Sequence, residues 1–520
     1  LTSSSSNPVN PVKYSIWHSI PLRAALIIFL GLAAAQIIAS LHVGFSNLEV
    51  YEKMRVLREA SYLIVPNAYV LPSLTEWKSA ILGGLFFTLS VGVFLTLLSL
   101  GAAWLRHRVL PRRKAVLLVF LLPWLALLIA LNMRGFSRMP TLYALIIPPL
   151  VYLAASKCLF LQPHQAHKNA LPSPVRPLTL FHLLSPLLLA LLWVTQMKGP
   201  YFGDVRDYLL LSNSAGTKVS DFYYRYTLYP AEAFKSLDQK LIRAVFLKST
   251  QNVAVGQALE RELLKHDYLT VSKEDVSELV ITVRDHELRL EKGGVSVSSV
   301  KLQEFLPSPA QWLTDFSVKT DRHGFFRKLT FISLLVGFPL FLYLSLYGLL
   351  LLPLSLFFSP RTASVVATFL CLLAGILLLM LLFTGREAIH DEGQVAGALQ
   401  SANSKTKVAA LKFIYDKELD IARYPAYRDL LKSSSIPERC WAAKALGASR
   451  RGESFRDLLS FKDDPHPTVV SASFQALAKR KNPAAIPSLL ASIETSMDWY
   501  NQWNAYKALR TLGWKQSKSN

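Results

Sequence analysis

This 520-residue chain is short of acid, short of cysteine and almost without charge inside its apolar stretches. It has 35 Asp and Glu against 57 Lys and Arg, a formal net charge of +22. Its three cysteines, Cys158, Cys371 and Cys440, stand far apart, so they form no CxxC pair, disulfide framework or metal-ligand spacing. No Walker A sequence, GxSxG elbow or HExxH pair occurs, which removes the enzyme classes those motifs announce. Within the apolar runs Gln36 and Asn132 are polar, and His182 is the one histidine well inside a run. Carriers of ions or protons keep intramembrane charges for use, so their scarcity argues against that class. A bis-histidine haem needs a second histidine at matching depth. His42 lies at the end of its run and no CxxCH is present, so His182 reads as a polar contact between packed helices. No cofactor and no metal site is expected.

What the chain has in plenty is apolar length. Hydrophobic residues make up 52% of it, gathered into runs at about 21–41, 80–105, 115–133, 141–161, 178–197, 329–357 and 363–383. A bilayer is spanned by about 20 such residues, so the pattern predicts a polytopic helical membrane protein with about seven spans. The basic excess sits beside these runs. Arg106, Arg108, Arg112, Arg113 and Lys114 form one acid-free cluster, and Lys157, Lys168 and Arg176 lie in another. That is the signature of loops kept inside, and it accounts for the charge without nucleic acid. The tail 1–20 reads as disordered and cytoplasmic. The first run resembles a signal peptide but is as long as a span, and Leu41-His42-Val43 is a poor cleavage site, so it reads as an uncleaved anchor. The alternation then places the loop 43–79 and the insert 198–328 outside, and a seventh span carries the C-terminal region outside too. One span more or fewer would move that region to the cytoplasm. The expected location is a bacterial inner membrane, multi-pass, in contact with its lipids.

Two extramembrane modules follow. The insert 198–328 reads as α+β: 235–249 and 253–266 have helical periodicity, 278–290 alternates like a strand pair, and Gly293-Gly294 turns into another alternating run at 295–302. After the two further spans within 329–384 and a linker at 385–392, residues 393–514 repeat, leaving a tail at 515–520. The pairs Ala410-Leu411, Ala445-Leu446, Ala476-Leu477 and Ala508-Leu509 are 35, 31 and 32 residues apart and each ends an amphipathic stretch. Such a period signals stacked helix pairs, none able to bury its face alone. Pro437, Pro467 and Pro487 fall near first turns of helices. This pattern, with Asn482–Leu490 leading into a helix that ends in Ala-Leu, resembles the HEAT family in its short phycobilisome-lyase-type form. The resemblance implies an all-α solenoid that binds proteins. It covers the scaffold alone, so no lyase chemistry comes with it.

Candidate site residues are few. The final repeat is rich in aromatics, and Trp499, Tyr500, Trp503, Tyr506 and Trp514 are its candidate partner contacts. Tyr223, Tyr224, Tyr226 and Tyr229 form a dense cluster soon after a span, where tyrosines favour the membrane interface. Glu49 and Glu52 in the first outer loop are the catalytic alternative, since membrane glycosyltransferases with polyprenyl-linked donors carry an acid there. No acidic pair accompanies them, and an amphipathic surface helix is the simpler reading. Glu387 with His390, and His164 with His167, have one-face spacing but no second pair to complete a metal site. The sequence therefore predicts a membrane scaffold or assembly subunit, more a binder than an enzyme, holding membrane or periplasmic proteins through its repeats and insert. A permease-like subunit served by a separate ATPase, or a lipid-modifying enzyme using Glu49 or Glu52, are the alternatives.

Overall fold

The computed structural model describes residues 20–110, 113–160, 177–196, 201–248, 253–284, 287–383 and 389–518. Arg112, His164, His167, Lys168, Arg176, Arg386 and Glu387 lie outside the described residues. The chain divides into two compact units. One comprises 1–38, 87–182 and 328–368; the other comprises 39–86, 183–327 and 369–520.

The fold is mostly helical. Among the described residues, five helices are long and apolar enough to cross a membrane: Leu22–Glu59, Trp77–His107, Arg138–Leu159, Gly324–Phe357 and Pro360–Leu382. Two shorter apolar helices, Leu117–Asn132 and Leu184–Thr195, fall at the other two apolar runs. The first of the seven does not stop where its apolar run does. It continues to Glu59, so Glu49 and Glu52 ride on a helix where a separate surface segment was expected. Nothing between Leu41 and Glu59 breaks it: the stretch has one glycine, Gly44, and no proline.

In the first unit, helices meet through small residues. Gly31 and Ala35 on one helix, four apart, face Thr96 and Gly92 on another. A Cβ on Gly31 would stand 2.4 Å from Thr96 Oγ1, and one on Gly92 would stand 2.5 Å from the Ala35 Cβ. Only hydrogen in those places permits the approach, as in packed membrane helices. His182 sits in a run of hydroxyls: its Nδ1 lies 2.6 Å from Thr368 Oγ1 and its Nε2 2.9 Å from Ser364 Oγ, which in turn lies 2.8 Å from the Tyr347 hydroxyl. Both ring nitrogens are thus engaged with helix-borne hydroxyls. The helix Phe338–Phe357 has no buried residue at all.

In the second unit the insert builds a five-stranded mixed sheet from β1 (Arg243–Lys248), β2 (Tyr268–Thr270), β3 (Leu279–Arg284), β4 (Glu287–Lys292) and β5 (Val295–Lys301). The order is β2-β1-β3-β4-β5. β1 runs parallel to β2 and β3, while β3, β4 and β5 form an antiparallel meander. Gly293 and Gly294, at φ +57° and +78°, supply the left-handed turn between β4 and β5. The helix Val253–Lys265 connects β1 to β2 and buries Leu259 and Leu263 against Val245, Leu279, Ile281, Leu288 and Leu290. One expectation fails: of 235–249, the described residues 235–248 form a short 3-10 turn and β1, not a helix. β1 lies between two parallel neighbours with Ala244 and Val245 fully buried, and a strand covered on both faces loses the alternation that would mark it.

From Val395 onward the unit is all α. Four helices, Ser404–Asp416, Ile436–Leu446, Pro467–Lys479 and Trp499–Thr511, pack in sequence as one row. Shorter helices, Val395–Leu399, Tyr427–Leu430, Gly452–Ser460 and Ile486–Thr495, form the other. All four Ala-Leu pairs lie in the first row and are at most 4% exposed, so they are the register at which neighbours touch. The helix starts follow the local chemistry. Pro437, Pro467 and Pro487 sit in first turns, and His466 accepts the Thr468 amide through Nδ1 as an N-cap.

Candidate functional site

The first row of the C-terminal solenoid has two longitudinal faces. One packs on the second row. The other is covered by the chain itself, in three places along its length, all within the second unit.

At the first two repeats the cover is the segment 201–210. Asp207 is buried there, 1% exposed. Its carboxylate accepts Arg206 Nε and Nη2 at 2.8 and 2.7 Å and Trp441 Nε1 at 2.8 Å, and pairs with Lys412 Nζ at 3.2 Å. Lys412 also donates to Asp204 at 2.8 Å and stands over the rings of Tyr208 and Trp441, 4.9 and 5.0 Å from their centres. Lys444 covers the Trp441 ring at 4.1 Å. Burial alone would lower the Lys412 pKa, but Asp207 and Asp204 outweigh it and raise it. Beside this cluster Cys440 is buried, and its thiol is pushed up by desolvation, which leaves it a poor nucleophile.

At the third and fourth repeats the cover is the aromatic segment 221–229. Tyr224 lies 4.6 Å from Tyr500 and 6.4 Å from His466, ring centre to ring centre; Tyr229 meets Trp499 edge-on at 5.1 Å. Tyr229 also shares a 2.7 Å hydrogen bond with Ser73. Asp221 sits 3.3 Å from His466 Nε2, and burial lowers the pKa of that imidazole. Tyr223 is half-exposed and stacks edge-on with Tyr224, while Tyr226 lies 6.2 Å from Tyr229.

At the last repeat the cover is the loop 61–75 together with the edge of the insert. Asn67, 5% exposed, donates through Nδ2 to the carbonyls of Ile493, Glu494 and Ser496 at 2.8, 3.0 and 3.1 Å. Those are carbonyls at the end of Ile486–Thr495, which the helix cannot satisfy itself. The Asn67 backbone donates to Gln502 Oε1 at 2.9 Å. Tyr506, fully buried, donates its hydroxyl to Asp267 at 2.7 Å, and Arg510 pairs with the other oxygen of Asp267 at 3.1 Å. Gln516 in the C-terminal tail exchanges hydrogen bonds with the Leu63 backbone.

The aromatics of the last repeat are thus distributed between inside and outside. Trp499 and Tyr506 are buried, Tyr500 and Trp503 are half-buried and stacked at 6.3 Å, and Trp514 lies 5.9 Å from Tyr506. Lys507 stands 4.3 Å over Trp503. Glu49 is exposed, and Glu52 makes an exposed pair with Arg55 at 2.6 Å. Among the described residues no group of three or more His, Cys, Asp or Glu stands ready to hold a metal. The contacts at Asp207 and Asn67 join residues more than 200 and 400 positions apart, and nothing in the sequence pattern announces them.

Stacked helix pairs of about 31 to 35 residues in two rows define the C-terminal module as a helical-repeat solenoid. It is a HEAT-repeat region: residues 424–510 match the family model described as HEAT repeats. The pair of helices before 424 continues the stack outside that match. No curated protein and no solved structure matches the chain. HEAT repeats point to protein partners in general.

Proposed function

We propose that this chain is a multi-pass membrane scaffold, with seven spans and its N-terminus inside, that holds protein partners at the outer membrane surface on its HEAT solenoid and α+β insert. The observation that carries the reading is the covering of the solenoid's first row by segments 201–210, 221–229 and 61–75, in stretches of chain that lie between apolar helices. A solenoid fixed in that way is part of a platform and not a domain swinging on a linker. The membrane half of the reading is supported by the helix Phe338–Phe357, apolar on every side and without a buried residue, which fits lipid and not water.

Two experiments test it. Removing 393–520 from the full chain is expected to lose the proteins that co-purify from membranes; retention of all of them would sink the scaffold role. Single cysteines at the exposed positions Ser214 and Asp463 test the topology. With the resident cysteines replaced, labelling of both by an impermeant reagent from outside is expected. Labelling of Ser214→Cys alone would put the solenoid in the cytoplasm.

A further inference from the structure

Beside the covered face runs the edge at which the long helices of the first row end, and its charge is not random. Each long helix of the first row ends in a turn on this edge: 416–420, 447–452, 479–483 and 511–515. From the second turn on, counting the tail to 518, the edge carries Arg450, Arg451, Lys479, Arg480, Lys481, Lys515 and Lys518 and no acid. The opposite edge differs in sign. Its last two turns, 462–466 and 494–498, hold Asp463, Asp464, Glu494 and Asp498 against one base, Lys462.

Several of the cations are spent within the fold. Arg451 pairs with Asp420 at 3.2 Å, Lys479 with Glu418 at 2.8 Å and Lys518 with Glu260 at 2.8 Å. Arg480 donates to the carbonyls of Leu446 and Arg451. Three are left over, Arg450, Lys481 and Lys515, and Lys417 joins them from the first turn, where Asp416, Glu418 and Asp420 also stand. Each of the four cations is exposed, and none has a side-chain hydrogen bond or ion pair among the described residues. They fall one to a turn, 33, 31 and 34 residues apart, which is the period of the repeat itself.

We infer that Lys417, Arg450, Lys481 and Lys515 form a row that binds an extended acidic polypeptide segment of a partner protein; this rests on the scaffold reading above. Neighbouring helices in a stack lie about 8–10 Å apart. A chain in the polyproline II conformation has three residues per turn and advances about 3.1 Å per residue, so carboxylates at every third position lie on one face about 9 Å apart and meet one cation per repeat. Four cations then read a segment of roughly ten residues. A peptide is favoured over lipid headgroups by the position of the row. At the opposite edge Lys405 donates to the Leu381 carbonyl at the end of an apolar helix, so that edge, and not this one, adjoins the apolar helix end. Basic residues near helix C-termini also favour the helix dipole, and since helix ends recur with the repeat, the dipole alone gives that period and disfavours acids there. What it does not require is that one cation per turn stay exposed and without a partner in the fold, and that is what a carboxylate of a bound segment would meet.

The test uses the full chain in nanodiscs of neutral lipid. The probe is a fluorescent 14-residue peptide with Glu at every third position, and the control has the same composition with its acids in one block. Binding of the spaced peptide, stronger than the control and falling with salt, is expected. Each of Lys417→Gln, Arg450→Gln, Lys481→Gln and Lys515→Gln is expected to weaken it about two- to fivefold, and the four together about 100-fold. All four side chains are exposed, so the melting temperature should stay put, and it is measured to confirm this. An affinity unchanged by the fourfold variant, no binding of the spaced peptide, or capture of anionic vesicles in its place would overturn the inference. If deletion of 393–520 releases the natural partners while the fourfold variant keeps them, the row is wrong and the scaffold stands. If the deletion releases nothing, the scaffold reading has failed first.

Discussion

Glu278 is the residue whose loss should be felt most in the insert. It precedes β3 and is nearly buried, its side chain 14% exposed. It accepts Lys53 Nζ at 3.2 Å from the end of the first long helix, Lys240 Nζ from the loop before β1, and the Ala244 amide of β1 at 3.0 Å. Burial by itself would raise its pKa. Lys240 and Lys53, with these hydrogen bonds, overcome that and hold it at about 2. The ordinary glutamate value is 4.5, so the folded state prefers the ionised form by about 3 kcal/mol at neutral pH, taking ~1.4 kcal/mol per unit. Since the folded pKa is the lower one, that stability is present above pH about 4.5 and is lost as pH falls toward about 2. Glu278→Gln should remove a similar amount at pH 7, because two ammonium groups are then left in a buried place without their counter-charge. The assay is hydrogen exchange of the full chain in detergent, followed at the amides of β1 and β3. A loss of about 3 kcal/mol lowers protection there about a hundredfold. Replacing all three groups together, Lys53→Met with Lys240→Met and Glu278→Leu, should cost far less than Glu278→Gln alone, since the desolvation of every charge goes with it. Protection in Glu278→Gln equal to the parent would refute the reasoning, as would a triple variant worse than the single.

Other outcomes follow from the covered face. Asn67→Ala leaves the carbonyls at the end of Ile486–Thr495 without a donor, and is expected to cost about 3 kcal/mol, read as a matching loss of amide protection in the last two repeats. Asp207→Ala strips the shared acid from Arg206, Lys412 and Trp441, and should cost about 3–5 kcal/mol. Its signature is trypsin cleavage after Arg206 at least about tenfold faster than in the parent.

How much of this was legible beforehand depended on how local the cause was. The four Ala-Leu pairs repeat because each must fit beside the next helix, so the solenoid and its row were written in spacing. The β3–β4–β5 meander was legible for a similar reason: one face of β4 buries Leu288 and Leu290 while Arg289 stays out. β1 was not, because Arg243–Lys248 is covered on both sides and its apolar run imitates a helix face. The candidate site was legible only in composition. Aromatics at 221–229 and 499–506 stood out in the sequence, but that Tyr224 and Tyr229 lie against Tyr500 and Trp499 is a matter of tertiary pairing across some 270 residues. Asp207 and Asn67 carried no signal at all. A buried aspartate or asparagine looks like any other until its partners arrive.

The covering of the solenoid's first row has a consequence for competition. A segment tied to the same chain meets its site at an effective concentration in the millimolar range. A free protein with micromolar affinity for that row, present at micromolar concentration, would face a rival about a thousandfold more abundant, a handicap of about 4 kcal/mol. Evolution of a visitor for that face would therefore be steeply uphill. Recruitment by this solenoid is left to surfaces that its own tethered segments do not reach.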